Sequence, residues 1–430
     1  MKKILTNLLL FCALTASAQT YDMTKPQPQY SDATGYGYDF VAAPTKKSTD
    51  PFFFSVRVPD GNYRVTVTLG SKQKTAETMV RAEARRLLMD KCVTKKGKFA
   101  TYTFLVNKRN TVIPATVDGK GKAVPETKVR IKPGEVGSMT WDDKLTLEFN
   151  GAAPAVSSIT IERDTTATTV FLCGNSTVVD QSKEPWASWG QMAPRWFKTY
   201  TDKANENVGG VCIANYGESG LTATSFMAQG RLDKILSEMR SGDYVVCEFG
   251  HNDEKEKGPG TGAFYHYSVA LKKFVDLVRA KGGNIIFCTP TQRRTFDKEQ
   301  KYVTNSHGDF PAAMKQVAQR ENVPVIDLNA ETKTLYETMG CEGCKQLLVH
   351  YPMGTFPWQE KAFADNTHFN PFGAYELSKL IVMGLKRINS PLVNYLVDEW
   401  KNFSPTAPDA LESFYWPQSP FFDGKKPDGN

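Results

Sequence analysis

The sequence predicts two folded parts, an all-β sandwich followed by a three-layer α/β/α domain. Its 430 residues are long for a single domain. Near Thr166 the pattern changes from alternating polar and apolar residues to short, continuous apolar runs. These runs alternate with helical patterns, as in a parallel sheet that helices cover on both faces. An apolar content of 40% and a charged content of 23% are typical of a globular protein rather than a disordered one.

Residues 1–18 have the pattern of a secretory signal. Lys2 and Lys3 precede an apolar stretch from Ile4 to Leu14, and Ala16-Ser17-Ala18 forms a small-residue cleavage site. The apolar stretch is too short to span a membrane stably, and no later stretch is long and apolar enough to do so. We therefore expect cleavage after Ala18 and an exported protein, periplasmic or secreted, without a membrane span.

The charge pattern does not indicate a nucleic-acid-binding protein. Cleavage removes two lysines and no acidic residue, so the formal net charge falls from +7 to +5. The basic residues are scattered, apart from Lys95–Lys98 and Lys120–Lys122, which lie at predicted loop tips in the β-rich part. Nucleic-acid-binding proteins concentrate such residues on one face or along one helix.

The cysteines fit buried thiols better than a metal site. One of the eight, Cys12, lies in the leader. Four others sit inside apolar runs and are expected to be buried free thiols: Cys173, Cys212, Cys247 and Cys288. In an exported protein Cys341 and Cys344 could close a small disulfide loop, and the sequence leaves open whether they are bonded.

Residues 19–165 are predicted to form the sandwich. Two alternating runs, Phe54–Val58 and Tyr63–Leu69, flank Pro59-Asp60-Gly61-Asn62, which has the residues of a hairpin turn. The segment Glu77–Met89 has the propensity of a helix, but its setting among strands favours a strand. Further short runs complete a β-sandwich of about 140 residues.

Residues 166–401 are predicted to form a flavodoxin-like α/β/α domain, in which ligands gather at the carboxyl ends of the strands. Five apolar runs are its predicted strands: Thr169–Cys173, Gly210–Ala214, Tyr244–Glu248, Asn284–Cys288 and Val323–Asp327. Helical patterns cover about Trp189–Thr201, Arg231–Arg240, Phe264–Ala280, Pro311–Arg320, and a final helix from Asn370-Pro371 to about Ile388. Residues 402–430 are rich in Pro, Asp and Gly and are expected to be an extended tail.

A serine, a histidine and an aspartate are placed to form a hydrolytic site. Ser176 follows the first parallel strand, and Asp365 and His368 lie just before the final helix. A histidine can take the proton of a serine hydroxyl, and a carboxylate three residues away can orient that histidine. Segments 215–220 and 249–253 follow two further strands. All four segments are therefore expected at one edge of the sheet.

These four segments resemble, in the same order, the Ser, Gly, Asn and His blocks of SGNH (GDSL-type) hydrolases. The segments Phe249-Gly-His-Asn-Asp253 and Asp365-Asn-Thr-His368 are most similar to the rhamnogalacturonan acetylesterase group. The resemblance covers about residues 166–390. The N-terminal part is more loosely similar to galactose-binding-like β-sandwich domains attached to such esterases. One departure is Asn175, where the family commonly has Asp.

The resemblance implies a role for each matching residue. Ser176 is the expected nucleophile, His368 the general base and acid, and Asp365 the residue that orients the histidine. The expected oxyanion hole consists of the backbone N–H groups of Ser176 and Gly217 and the side-chain amide of Asn252. Each such donor lowers the barrier by about 3–4 kcal/mol. The alternative roles are a helix cap for Ser176, a surface histidine for His368, a cap for Asp365, a turn glycine for Gly217 and a loop residue for Asn252.

Four residues near the expected site are candidates for substrate binding. Arg293 and Arg294 follow the fourth parallel strand, and the arginine fork binds uronate carboxylates through two hydrogen bonds. His251 precedes Asn252 and is expected to pack under or beside the site. Residues 339–364, which include Trp358, are expected to form a substrate-side wall, or alternatively to cover only the sheet edge.

The predicted function is ester hydrolysis on a carbohydrate. The resemblance implies removal of acetyl groups from pectic polysaccharide, especially rhamnogalacturonan, through an acyl-enzyme on Ser176. Acetylated xylan and pectin methyl esters are alternative substrates, since the same triad cleaves them all. Two alternatives of another kind are a carbohydrate-binding protein without activity and an enzyme that transfers acyl groups to sugars.

The expected partner is an esterified plant cell-wall polysaccharide, with no nucleic acid among the partners. The predicted triad chemistry requires no metal and no organic cofactor. The five histidines of the chain do not show the spacing of metal ligands.

Overall fold

The structure is a computed structural model that describes residues 18–45, 48–198, 210–398 and 403–421. The predicted leader lies outside these residues, apart from Ala18. An antiparallel β part comes first, followed by parallel strands that alternate with helices. The predicted fold class is therefore confirmed.

The antiparallel part contains two sheets that face each other across an apolar core. In the described residues its strands are β1 (Gln19–Asp22), β2 (Tyr36–Asp39), β3 (Phe52–Arg57), β4 (Gly61–Gly70), β5 (Ala76–Ala82), β6 (Arg86–Thr94), β7 (Phe99–Lys108), β8 (Val112–Ile113), β9 (Thr116–Val117), β10 (Ala123–Val124), β11 (Thr127–Lys128), β12 (Lys144–Ala153) and β13 (Val156–Asp164). The two sheets have the strand orders β1-β13-β4-β7 and β2-β3-β12-β5-β6. Val65, Val67 and Leu69 alternate along β4 and are fully buried in this core, as the period of a half-buried strand requires.

The segment Glu77–Met89 forms a hairpin, which confirms the prediction of a strand and adds a turn. Strands β5 and β6 pair antiparallel on either side of this turn. Glu83 and Arg85 in the turn have left-handed φ angles of 53° and 60°. Met79 and Leu87 belong to the apolar cluster of the α/β part rather than to the core between the sandwich sheets. The hairpin is therefore inserted into the neighbouring part of the protein.

The α/β part is built on a five-stranded parallel sheet. Its strands are β14 (Thr168–Gly174), β15 (Val211–Asn215), β16 (Tyr244–Glu248), β17 (Asn284–Cys288) and β18 (Val325–Ile326). They lie in the order β15-β14-β16-β17-β18, which is the flavodoxin-like order. All five predicted strands are present, with ends shifted by at most a few residues. Because apolar clusters lie on both faces, these strands are continuous apolar runs.

Helices cover both faces of this sheet. They are α1 (Trp189–Met192), α2 (Ala223–Ala228), α3 (Arg231–Glu238), α4 (Ser268–Ala280), α5 (Phe310–Glu321), α6 (Leu328–Gly343) and α7 (Pro371–Arg387). Helices α1, α6 and α7 pack on one face, and α2 to α5 pack on the other. Helix α7 begins as predicted, since the Asn370 side chain accepts a hydrogen bond from the Gly373 N–H at 2.9 Å.

Two helix predictions need correction. The helix expected over Trp189–Thr201 is the four-residue α1 followed by a 3₁₀ turn, Ala193–Trp196, and Thr201 lies outside the described residues. Pro194 explains the short helix, because proline lacks an N–H group and clashes with the preceding turn. The helix expected from Phe264 begins instead with a five-residue π-helical turn, Ala263–Tyr267, before α4. Helices α2 and α6 were not predicted.

Two segments beyond the sheet also take on definite structure. Most of the predicted wall, residues 339–364, lies in the end of α6 and in an antiparallel hairpin of β19 (Leu348–Tyr351) and β20 (Phe363–Phe369). Residues 403–421 are extended apart from a 3₁₀ turn, Leu411–Ser413. This segment packs against the sandwich, where Arg81 donates to the Pro417 carbonyl at 2.6 Å and Asn150 to the Gln418 carbonyl at 2.9 Å.

The seven cysteines within the described residues are free thiols. The four in the parallel strands and at their ends are buried, as predicted. Cys341 and Cys344 are not bonded to each other, and the Cys341 sulfur instead accepts a hydrogen bond from Arg294 at 3.1 Å. Among the described helices, none combines the length and the apolar character that a membrane crossing needs.

Candidate active site

Ser176, His368 and Asp365 form a continuous hydrogen-bonded row. The His368 Nε2 atom lies 2.8 Å from the Ser176 hydroxyl oxygen. On the other side of the ring, His368 Nδ1 lies 3.0 Å from Asp365 Oδ2. The serine and the histidine are 192 positions apart in the sequence. The fold thus brings together the three residues that the sequence singled out, with the atoms that acyl transfer requires facing one another.

The backbone around Asp365 fixes this carboxylate in place. Its Oδ1 atom accepts hydrogen bonds from the N–H groups of Thr367 and His368 at 2.9 and 3.0 Å. Burial opposes ionisation of the Asp365 carboxyl, but the hydrogen bonds from the His368 ring and from the backbone outweigh it. They hold the pKa of Asp365 well below its usual range. The carboxylate is therefore ionised and able to orient the histidine ring at any neutral pH.

The serine lies on a tight turn at the end of β14. The Asn175 carbonyl accepts from the N–H groups of Val178 and Val179, both at 3.0 Å, and this closes the turn. A Cβ atom on Gly174 would lie 2.4 Å from the Val178 side chain and 2.9 Å from the Glu248 carbonyl. Only glycine permits so close an approach, so Gly174 sets the path by which the chain presents Ser176.

Glu248, at the end of β16, supports this turn from below. Its fully buried carboxylate accepts from the Thr177 hydroxyl at 2.9 Å and from the Trp189 indole N–H. Burial raises the pKa of Glu248 to about 7, against the opposing effect of these hydrogen bonds. No sequence motif marks Glu248, although an acidic residue at the end of an apolar strand is a usable signal of a buried polar role.

The Asn252 side chain is held by two contacts. Its amide nitrogen donates to the Leu221 carbonyl at 3.2 Å, and its oxygen accepts from Lys255 at 3.1 Å. These two contacts identify which atom of the amide is nitrogen and which is oxygen. They use one of the two N–H groups that the nitrogen carries. The geometry is compatible with the oxyanion role predicted for Asn252, which stays a prediction.

The Gly217 N–H has a protein partner. It donates to the Asn215 side-chain oxygen at 3.1 Å, because asparagine readily bonds the backbone two residues on. This pairing disfavours the oxyanion role predicted for Gly217. In the same turn Gly220 adopts a left-handed φ of 73° and precedes Leu221, whose carbonyl binds the Asn252 amide.

His251 and Arg293 lie in a network beneath the site. The His251 ring is buried against the His307 ring, with centroids 4.6 Å apart, and its Nε2 lies 3.4 Å from the Thr291 hydroxyl. Burial lowers the pKa of His251 well below its usual value, so this ring is neutral. Arg293 forms an ion pair with Glu254 at 2.5 Å. The His251 ring thus packs inside the protein, and the Arg293 guanidinium is held by an ion pair. These contacts give no support to the predicted binding of substrate by either residue.

Arg294 and Trp358 lie near the strand that carries Asp365 and His368. The Arg294 backbone N–H donates to the Asn366 carbonyl at 2.8 Å, and its guanidinium donates to the Cys341 carbonyl at 2.8 Å. Arg294 therefore helps to fix the position of Asn366, the residue after Asp365. The Trp358 and Phe356 rings stack with their centroids 5.3 Å apart. Both lie in the hairpin insertion, which is the β19–β20 hairpin with its loop (residues 348–369). Substrate binding by either residue stays a prediction.

Gln181 links two of the site segments. Its amide nitrogen lies 3.5 Å from the Ser176 carbonyl and 3.3 Å from the Ser219 hydroxyl. No sequence motif indicated this residue, because the link depends on a loop that folds back. Among the residues that the structure describes, no group of three or more His, Cys, Asp or Glu side chains could hold a metal ion.

The sequence matches a known family over this whole site. The model of the GDSL-like lipase/acylhydrolase family matches residues 172–374. The rhamnogalacturonan acetylesterase RhgT of Bacillus subtilis (strain 168) is 38% identical over 230 residues, which are 53% of this chain and 94% of that protein. The chain belongs to the GDSL-like lipase/acylhydrolase family. This GDSL-like enzyme is a hydrolase of carboxylic esters.

Two further relatives come from the same organism. The probable rhamnogalacturonan acetylesterase YesY is 28% identical over 235 residues, 54% of this chain and 98% of that protein. The uncharacterized esterase YxiM is 26% identical over 353 residues, 81% of this chain and 77% of that protein. The YxiM match is longer than the whole segment 166–430, so it extends into the sandwich of this GDSL-like enzyme.

Proposed function

We propose that the protein is an exported carbohydrate acetylesterase that removes O-acetyl groups from rhamnogalacturonan through a Ser-His-Asp mechanism. One observation carries the chemistry: His368 Nε2 lies 2.8 Å from the Ser176 hydroxyl, with Asp365 3.0 Å from the other ring nitrogen. The 38% identity to an enzyme named a rhamnogalacturonan acetylesterase supports the choice of substrate.

In the first half of the reaction, Ser176 attacks the carbonyl carbon of the acetyl ester while His368 takes the hydroxyl proton. Asp365, ionised and bonded to the ring, stabilises the imidazolium that forms. The tetrahedral intermediate collapses when His368 gives this proton to the sugar oxygen, which leaves as an alcohol. An acetyl group then remains on Ser176. Water, activated by His368, releases it as acetate and restores the serine.

The negative oxygen of the intermediate needs donors that are in place beforehand. We assign this role to the Ser176 N–H, the free N–H of the Asn252 amide and a backbone N–H of the turn at 217–220. Within that turn Gly220 is the better candidate, because the Gly217 N–H is bonded to Asn215 and Gly220 adjoins the carbonyl that holds Asn252. Asn252→Ala should lower kcat by about 10²–10³-fold with little change in KM.

The substrate is tested by acetate and methanol release from a panel of rhamnogalacturonan, acetylated xylan and methyl-esterified pectin. We expect acetate from rhamnogalacturonan at the highest kcat/KM, and a loss of at least about 10³-fold in Ser176→Ala. Faster acetate release from xylan, or methanol release from pectin, would move the substrate assignment to that polymer. Binding of the polymer without release of any product by the wild type would identify a binding protein instead.

Export is supported by where the first strand begins. Strand β1 starts at Gln19, directly after the predicted cleavage site, and Gln19 pairs with Ile161 of β13. Cleavage after Ala18 would therefore remove the leader and leave the sandwich complete. N-terminal sequencing of protein from the periplasm or medium should read Gln-Thr-Tyr-Asp. Recovery of a cytoplasmic protein that still begins with Met1 would contradict this part of the proposal.

A further inference from the structure

A cavity of about 660 Å³ lies against the strand that carries Asp365 and His368, where three segments meet. The first is the loop between Ser176 and α1, which contributes Glu184 and Pro185. The second is the β19–β20 hairpin, and the third is the C-terminal segment 411–418. This volume is in the range of sites that hold small molecules.

The cavity is continuous with the strand that carries Asp365 and His368. Phe363 at the start of β20 and Asn370 directly after its end both line the cavity. The Ala187 N–H donates to the Phe369 carbonyl at 2.9 Å and joins this strand to the loop that follows Ser176. The two segments that bring the triad together are therefore also two walls of the cavity.

Aromatic side chains dominate the lining. Phe356 and Phe363 contribute from the hairpin insertion, and Phe414 and Trp416 from the C-terminal segment. The Phe414 and Trp416 rings are nearly parallel, with an interplanar angle of 9°. Flat aromatic faces suit the C–H faces of a pyranose ring, whose hydroxyl groups then bond polar groups at the edge. His350, Gln346 and Gln418 supply such groups here.

The charges in the lining are compensated by the protein. Glu184 forms an ion pair with Arg85 at 3.0 Å, and Lys345 forms one with Glu342 at 2.7 Å. A uronate bound inside the cavity would need a buried cation there, and Lys345, the lysine of the described lining, is a partly exposed residue paired at the surface. The described lining therefore favours a neutral sugar over an acidic one.

We propose that this cavity is a second saccharide-binding site, which holds a neutral pyranosyl residue of the polymer whose acetyl ester is cleaved at Ser176. The inference rests on the proposed function. A sugar held here would keep a long substrate on the enzyme, so the site should matter for polymers and not for small esters that reach only the triad.

The test compares Phe414→Ala and Phe356→Ala with the wild type on two substrates, acetylated rhamnogalacturonan and p-nitrophenyl acetate. We expect KM for the polymer to rise about tenfold in each variant, since each loses one aromatic contact with the sugar. The kcat/KM for p-nitrophenyl acetate should stay within about twofold. Tyr415→Ala is the matched control, because Tyr415 adjoins Phe414 but lies over Lys91, outside the cavity lining.

Two variants keep the test decisive if one fails to fold. Phe414 also packs on Phe372 and Tyr375, so its removal can destabilise the C-terminal segment. Phe356 instead contacts Tyr351 and Trp358 in the hairpin insertion, away from that segment. The thermal midpoint of each variant shows whether it is folded.

The outcomes separate this inference from the proposed function. An unchanged polymer KM in folded variants, or an equal loss on both substrates, would overturn the second site while the proposed function stands. A wild type that releases no acetate from any polysaccharide would overturn the proposed function first. Calorimetry of Ser176→Ala with deacetylated rhamnogalacturonan oligosaccharides measures the binding affinity independently. Adding Phe356→Ala to this variant should weaken the affinity by about tenfold.

Discussion

The sandwich and the α/β part both bury ionisable side chains, but these side chains differ in what they contact. In the α/β part the buried acid Glu248 and the ring of His368 lie at the carboxyl edge of the sheet, around Ser176. In the sandwich the buried charges of the β5–β6 hairpin, including Arg85 and Arg86, point out of the domain. One set serves the reaction site, and the other holds two domains together.

The hairpin tip orders the loop that follows Ser176. Arg85 donates to the Gln181 carbonyl at 2.8 Å, to Glu184 at 3.0 Å and to the Trp186 carbonyl at 2.7 Å. Arg86 pairs with Asp180 at 2.5 Å. Left-handed φ angles at non-glycine residues of this turn persist only where surrounding contacts enforce them. The sandwich therefore acts on the site through residues 180–186.

A second contact from the sandwich reaches the turn at 217–220. Lys132 donates to the Ser219 carbonyl, and Arg109 donates to the Asn215 carbonyl. The Arg109 guanidinium also lies 4.3 Å from the centre of the Tyr216 ring and 4.6 Å from that of Trp141. By contrast, the match to RhgT covers 94% of that protein in 230 residues, which leaves no room there for a sandwich of this size. The site segments of this chain are thus held partly by side chains of a sandwich for which the matched length of RhgT leaves no equivalent.

Removing the sandwich should have the largest effect. A fragment of residues 166–430 would expose the apolar surface that Met79 and Leu87 cover, together with unpaired Asp180 and Glu184. We expect it to show no cooperative thermal transition by circular dichroism and no esterase activity. A folded, active fragment would show that the α/β part needs the sandwich neither for stability nor for activity.

Arg85→Ala should come next. It leaves Glu184 buried without its cation, which typically destabilises by about 3–5 kcal/mol. Arg57→Ala is the matched control within the same sandwich, because Arg57 pairs with Asp32 and Asp143 at the surface, where such pairs contribute little to stability. Denaturant unfolding measures both. Equal losses in the free energy of unfolding of the two variants would show that the buried ion pair contributes no more to stability than the surface pairs.

Glu248→Gln should change how stability depends on pH. In the folded protein the pKa of Glu248 is about 7, whereas in the unfolded chain this carboxyl loses its proton near its ordinary value of 4.5. Between these values the folded state binds more protons, so this group's contribution to the free energy of unfolding falls as pH rises. The free energy of unfolding of the wild type, relative to that of the variant, should therefore fall by on the order of 3 kcal/mol as pH rises across this window, and stay constant outside it.

Glu83→Gln sharpens the same comparison. Burial raises the pKa of Glu83, at the hairpin tip, to about 8. Its variant should also alter the pH dependence of unfolding. Only Glu248→Gln should lower kcat as well, because Glu248 holds Thr177 next to Ser176, the nucleophile of the proposed mechanism. An equal fall in kcat for both variants would argue that the two buried acids have the same role.

The smallest effect is expected on the outer face of the sandwich. Val93 is 60% exposed on β6, the strand that begins at the inserted hairpin tip. Val93→Thr should shift the free energy of unfolding by less than about 0.5 kcal/mol and leave kcat/KM unchanged. A larger loss would indicate that the outer face of the sandwich is also a binding surface.

Much of the site could be predicted from local patterns. Apolar runs that alternate with helices imply a parallel sheet, and residues at the carboxyl ends of its strands must meet. This placed Ser176, Asp365 and His368 together, and Asn370 with Pro371 marked the start of the last helix. These features depend on short segments whose chemistry is visible in the chain itself.

The contacts that hold the site and join the two parts of the protein were decided by residues far apart in the sequence. The hydrogen bond from the Asn252 amide to the Leu221 carbonyl, the burial of Arg85 against Glu184 and the packing of residues 403–421 on the sandwich each required the folded arrangement. A hydrogen bond or an ion pair depends on atoms within a few ångströms, and periodicity along a chain does not specify such distances. Local sequence thus determined which residues could react, and the tertiary structure determined which residues hold them in place.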